Sequence, residues 1–202
     1  MPWFPKLTSL DLTATGIVDL EPLYSCENLI KLTLKRVTIP NPDVLEKLVQ
    51  VRSLNLMNCQ IADTKFLEAL PKLRVLYLNN NLISSLSEIQ GHTQLVILSA
   101  GNNPLKNFGF LQQLDALKSL DLSGSEFIDT TLLAGKTNLE SLNLDRCAIK
   151  DFKGLEGLVK LKTLSLTGTR MSDLTPLSGL AALNVLKLNE NGIENLSPLR
   201  GL

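Results

Sequence analysis

His92 is the only histidine in this 202-residue chain, so any general-base or Ser-His-Asp scheme would have to run through it. It stands 22 residues from Leu70 and from Leu114, in an otherwise apolar column. That place predicts a half-buried ring on the side away from any strand. The three cysteines, Cys26, Cys59 and Cys147, are the other candidates for nucleophilic or metal chemistry. Cys59 and Cys147 hold equivalent places four repeats apart, roughly 19 Å at the usual strand spacing. A disulfide needs Cα atoms within about 7 Å, so free buried thiols are expected. Gly101-Asn102-Asn103-Pro104 reads as a turn, and no glycine phosphate loop, paired-cysteine motif or His/Glu metal spacing occurs. A column of Asp, Asn and Ser (Asp19, Asn41, Asp63, Ser85, Asn107, Asp129, Asp151, Asp173, Asn195) offers one carboxylate per repeat at most. Calcium sites need several oxygens around one ion, so these residues read as helix caps. The residues predict no enzyme, no metal, no cofactor and no small-molecule substrate.

What would position any site is a repeat. Leu7, Leu29, Val51, Leu73, Leu95, Leu117, Leu139, Leu161 and Leu183 stand 22 residues apart without an insertion. Leu10, Leu32, Leu54, Leu76, Leu98, Leu120, Leu142, Leu164 and Leu186 follow three residues later, and Leu12, Leu34, Leu56, Leu78, Ala100, Leu122, Leu144, Leu166 and Leu188 two after those. A fixed period of this length means one supersecondary unit stacked end to end, each copy burying its neighbour's apolar side.

Within a copy, Leu76-Tyr77-Leu78 or Leu120-Asp121-Leu122 alternates with period two, a strand whose leucines face inward. Three residues on comes a small or amide residue: Thr15, Val37, Cys59, Asn81, Asn103, Ser125, Cys147, Thr169 or Asn191. An inward Asn, Thr or Cys at that place can hydrogen-bond the adjacent backbone, and an unpaired buried group there costs about 1–3 kcal/mol. Val37 cannot make that bond, which predicts a weak point in the second copy. The Asp/Asn/Ser column then caps a short return with apolar residues three apart. Asn41-Pro42-Asp43 predicts a helix start, whereas Leu20-Glu21-Pro22-Leu23, Leu174-Thr175-Pro176-Leu177 and Leu196-Ser197-Pro198-Leu199 predict tight 3₁₀ turns.

With these residues in place, the pattern resembles the 22-residue class of leucine-rich repeats, a class found in the nuclear regulatory subunit of protein phosphatase one and in bacterial internalins. Residues 161–180 (LKTLSLTGTRMSDLTPLSGL) match it almost throughout. The resemblance implies an α/β repeat: a right-handed curved solenoid of nine 22-residue coils. A parallel sheet would line its concave side, and short helices and 3₁₀ turns its convex side. Members of the class bind unrelated proteins, so it implies an interaction module or scaffold and names no partner.

Charge and hydropathy narrow the partners. Twenty basic residues balance twenty acidic ones, which argues against nucleic acid or a membrane surface as the partner. No run approaches the about 18 apolar residues of a membrane span. Met1-Pro2-Trp3-Phe4-Pro5 lacks the features of a secretion signal. Free thiols with no signal predict a cytoplasmic or nuclear location, or an extracellular surface if a signal was trimmed. Residues 1–4 read as a minimal N-terminal lid and residues 5–202 as the nine repeats. The last repeat carries no polar cap, which predicts either a longer chain or association through that repeat.

The outward strand positions remain, and Val75, Tyr77, Ile97 and Met57 fall on neighbouring copies as one apolar patch. Lys31, Lys35, Arg36, Arg52 and Arg74 rim it, with Asn79 in the adjoining slot. The predicted contact set for a protein partner is therefore Lys35, Arg36, Arg52, Met57, Arg74, Val75, Tyr77, Asn79 and Ile97. Copies six and seven present Asp121, Glu140 and Asp145 beside Lys118 and Arg146, an expected acidic middle. A second reading is a structural or adhesive segment of a larger, internalin-like surface protein.

Overall fold

The structure, a computed structural model, describes residues 6–202; the expected lid at 1–4 lies outside them. Nine strands form one parallel sheet in chain order: β1 (Ser9–Asp11), β2 (Lys31–Thr33), β3 (Ser53–Asn55), β4 (Val75–Tyr77), β5 (Ile97–Ser99), β6 (Ser119–Asp121), β7 (Ser141–Asn143), β8 (Thr163–Ser165) and β9 (Val185–Lys187). The 22-residue period sets the register, since Leu32 pairs with Leu54, Leu54 with Leu76, and Leu76 with Leu98. Three residues are too few for a free strand. Each is held because the ladder runs past its ends, as in Leu34 N–H to Asn55 O at 2.8 Å and Arg36 N–H to Met57 O at 2.9 Å. The leucine columns are sealed between coils; Leu54, Leu56, Leu76, Leu78 and Leu98 have no solvent contact. In the last coil Leu183, Leu186 and Leu188 are only partly buried.

Every return is 3₁₀; no α-helix occurs among the described residues. The expected short helices, including the one after Asn41, are short 3₁₀ helices. The longest return, Pro42–Lys47, is six residues of 3₁₀. Apolar residues three apart, such as Leu67 and Leu70, fit three residues per turn better than 3.6. The caps are placed as predicted. All nine Asp, Asn or Ser side chains accept the amide two residues on, for example Asp19 from Glu21, Asp63 from Lys65 and Asp173 from Thr175, each within 2.9 Å.

The inward ladder is also present. Asn81 Oδ1 accepts from the amides of Cys59 and Ile61 (2.9 and 3.0 Å), and its Nδ2 donates to Leu56 O and Leu78 O (both 2.8 Å). The Cys59 thiol donates to Leu34 O at 3.0 Å, and Thr169 Oγ1 to Leu166 O at 2.9 Å. Val37 is buried in the same slot and contributes only its backbone.

One feature of the turn escaped the sequence reading. The residue before the ladder slot has positive φ in all nine coils: Ala14, Arg36, Asn58, Asn80, Asn102, Gly124, Arg146, Gly168 and Glu190, between 55° and 68°. Asn and Gly tolerate this region, while Ala14, Arg36, Arg146 and Glu190 each carry roughly 1–2 kcal/mol of strain. The repeated Asn and Gly at that slot were the available signal.

Candidate partner-binding face

The strand register brings part of the predicted set together. Val75 pairs with Ile97 and Asn55 with Tyr77, so their side chains leave the same face of the sheet. An open depression of about 470 Å³ is lined there by Lys31, Lys35, Val75, Tyr77 and Ile97, over a floor that includes Thr33, Ser53 and Asn55. The small floor residues set the hollow, and Tyr77 and Ile97 raise its wall. Four predicted residues, Lys35, Val75, Tyr77 and Ile97, thus share one groove. Met57 is half-buried in the adjoining slot.

The others are dispersed around it. Arg52 and Arg74 are exposed at the entry edge of the strands, one above the other through Arg74 N–H to Arg52 O at 2.8 Å. Arg52 lines a separate hollow with Glu27, Ile30 and Gln50. Arg36 stands on the left-handed turn at the opposite edge. Asn79 departs from the expectation of an outward contact: it is buried, and its Nδ2 donates to Asp121 Oδ2 at 2.7 Å.

Electrostatics divide the face. Among the described residues the ion pairs are Lys106–Glu126, Lys118–Glu140, Lys136–Asp115 and Lys162–Glu140, and none involves Lys31, Lys35, Arg36, Arg52 or Arg74. Glu140 lies 2.6 Å from Lys162 and 3.3 Å from Lys118, and those lysines hold its carboxyl below the usual range. The acidic middle is held by ion pairs and hydrogen bonds within the sheet. Asp121 Oδ1 takes the amide and hydroxyl of Ser123, and its Oδ2 the Ser99 hydroxyl. Asp145 is held by the Ser165 hydroxyl and the Thr167 amide. Asp11, at the front of the groove, is held by the Thr13 hydroxyl and amide, which lower its pKa.

The candidates for chemistry are structural. His92 is buried rather than half-buried, because its ring fills a core slot. Its Nε2–H donates to Leu70 O at 3.1 Å, while Nδ1 has no partner among the described residues. Burial lowers its pKa below the ordinary 6.5. All three cysteines are buried and unpaired, and burial pushes the Cys147 thiol up to about 11, the reverse of what a nucleophile needs. Lys136, a residue with no sequence signal for a buried place, stands two coils from His92 in the same column. It is buried, with Nζ donating to Asp115 at 2.5 Å and to Gln112 O at 3.3 Å. Among the described residues no three His, Cys, Asp or Glu side chains converge as a metal site, and no helix is long and apolar enough to cross a membrane.

Comparisons with known proteins give the same architecture. A family model described as Leucine Rich repeats (2 copies) matches residues 49–91 and 137–179, and one described as Leucine Rich Repeat matches residues 28–49. The chain is 31% identical to internalin C2 of Listeria monocytogenes, covering 82% of this chain and 74% of that one with a TM-score of 0.79. Similarity to the Leptospira interrogans leucine-rich repeat protein LIC12759 reaches a TM-score of 0.83 at 21% identity, over 100% of this chain and 60% of that one. The Arabidopsis receptor kinase HAESA, solved with the peptide hormone IDA and the co-receptor SERK1, gives a TM-score of 0.79 at 23% identity over 92% of this chain and 34% of that one. No curated protein sequence matches the chain.

Proposed function

Because the chain belongs to the leucine-rich repeat family, whose folds are protein-binding modules, we propose that it captures its protein partner on the front half of the concave sheet. The contact set is Lys35, Arg36, Arg52, Met57, Arg74, Val75, Tyr77 and Ile97, joined by Lys31. Asn79 ties the neighbouring surface together through Asp121. The observation that carries this reading is the groove in which Val75, Tyr77 and Ile97 stand over small floor residues beside lysines without ion pairs. Large apolar side chains on a rigid exposed face are the usual centre of a contact patch. The matching slots elsewhere hold Ser119, Ser141 and Thr163, so the strands do not need apolar residues there.

The module acts by binding and not by catalysis. The His92 ring and the three thiols, the groups with the chemistry to react, are packed into the core. The free, buried thiols support a reducing compartment, cytoplasmic or nuclear.

The test is capture from an extract of the source cell, read by mass spectrometry. The Tyr77→Ala/Arg74→Ala variant should lose the partner while melting at the wild-type temperature. Undiminished capture by that variant removes the reading.

The identity to internalin C2 across most of both chains favours one second reading, an adhesive segment of a larger surface protein. A signal peptide and wall anchor in the full-length gene would support it over the intracellular module.

A further inference from the structure

We infer that the segment seated in the groove is an acidic stretch of protein, with a carboxylate about three residues from a large apolar side chain. The inference rests on the concave-face reading above.

The column at the entry edge of the strands carries the argument. In coils six to eight it reads Lys118, Glu140, Lys162, and the glutamate binds both neighbours. In coils three and four the same column reads Arg52, Arg74, flanked by Ile30 and Val96. Two like charges one strand spacing apart repel, and no acid within the described residues pairs with either. Lys31 and Lys35 add two cations inside the groove. The one carboxylate lining it, Asp11, accepts the Thr13 hydroxyl at 2.6 Å and its amide at 2.9 Å on a single oxygen and stays charged beside Lys31, so two lysines face one acid. The entry-edge charges of coils six to eight are paired internally, whereas Arg52 and Arg74 of coils three and four are left for an anion from outside.

The apolar wall says what kind of anion. Val75, Tyr77 and Ile97 require an apolar side chain beside the charge, which a protein segment supplies and a sugar–phosphate backbone does not. A single half-buried ring gives no series of stacking platforms for bases. Strands β2 to β5 beneath the groove are each paired on both sides, so a segment lying over them adds no strand to the sheet and is read through side chains. Lys31 pairs with Ser53 and Ser53 with Val75, which puts the cation about 10 Å from the apolar wall at two strand spacings. Extended chain covers that distance in about three residues.

The experiment uses a fluorescent nine-residue peptide, blocked at both ends, with two glutamates three positions from a leucine. Fluorescence anisotropy is read at low and at physiological salt. The peptide should bind, and glutamine in place of glutamate should weaken binding at least about tenfold. Lys31→Ala/Lys35→Ala should cause a similar loss and flatten the salt dependence. Tyr77→Ala should weaken binding with its salt dependence intact. Equal affinity for the glutamine peptide, with Tyr77→Ala still harmful, overturns the acidic segment and leaves the concave reading standing. Binding indifferent to Tyr77→Ala counts against the concave reading itself. No binding of the glutamate peptide, or preference for a single-stranded oligonucleotide, overturns the inference.

Discussion

Asn79 and Asp121 meet across two coils: Asn79 Nδ2 donates to Asp121 Oδ2 at 2.7 Å, over the top of Gly101. The sheet surface is therefore tied together by its own polar side chains just beyond the proposed groove. Gly101 is what leaves room. A Cβ there would stand 2.4 Å from Ser123 Oγ, 2.9 Å from Asp121 Oδ1 and 3.1 Å from Asn79 Nδ2.

Two glycines should respond differently to alanine. At Gly101 the clashing atoms end short side chains that can swing aside, so Gly101→Ala should cost about 1 kcal/mol, mainly as lost hydrogen bonds. At Gly154 the new Cβ would sit 1.8 Å from the backbone oxygen of Thr130, which no rotamer relieves. Gly154→Ala should cost about 3 kcal/mol or more through forced separation of coils six and seven. Urea unfolding of both variants checks the order. Equal stability would refute the close coil packing at Gly154.

The amide ladder predicts a larger loss from one polar residue than from an apolar neighbour. Asn81→Leu would leave the amides of Cys59 and Ile61 without their acceptor and the carbonyl of Leu56 without its donor, while Leu78 O keeps Asn103 Nδ2. At about 1–3 kcal/mol for each unsatisfied buried group, a drop of at least about 3 kcal/mol is expected. Val37→Ala breaks no side-chain hydrogen bond and should cost only about 1–2 kcal/mol, as a cavity. Calorimetry on the pair decides it, and a smaller loss for Asn81→Leu contradicts the ladder.

His92 predicts a pH dependence. Its folded pKa lies below 6.5 because burial disfavours the charged ring, so the unfolded chain takes up more protons as pH falls. Stability is complete above 6.5 and declines as the pH drops through that value. His92→Leu, which restores the residue found at Leu70 and Leu114, should remove this part of the acid sensitivity. It should add about 1 kcal/mol near neutral pH by removing the unpartnered Nδ1. The measurement is melting temperature against pH for both proteins. Parallel curves would mean that His92 does not titrate between the folded and unfolded states.

Much of this architecture was legible because periodicity is a strong signal. A 22-residue spacing dictates register strand by strand, so Leu32, Leu54 and Leu76 could be paired on paper. The caps at Asp19 and Asp173 were legible for a local reason: a short carboxylate reaches an amide two residues on. What was missed depends on contacts between coils. His92 was expected half-buried and Lys136 gave no signal because polar residues usually face water, yet the column they occupy is closed by the coils above and below. The helix expected after Asn41 is present, as 3₁₀ rather than α, because three-residue spacing and short length suit 3₁₀ geometry. Asn79 looked exposed because its slot faces outward, but the missing side chain at Gly101 lets it fold down onto Asp121. At the groove itself, register and alternation sufficed for Val75, Tyr77 and Ile97. The separation of Arg36 and Arg52 onto opposite edges depends on where the backbone turns.

The most direct test is lysine footprinting of the complex with the captured partner. Lys31 and Lys35 line the groove, whereas Lys153 belongs to a return on the opposite side. Acylation of the free protein should modify all three, and the bound partner should shield Lys31 and Lys35 while Lys153 stays reactive. Shielding of Lys153 with Lys31 and Lys35 still reactive would contradict the concave-face account.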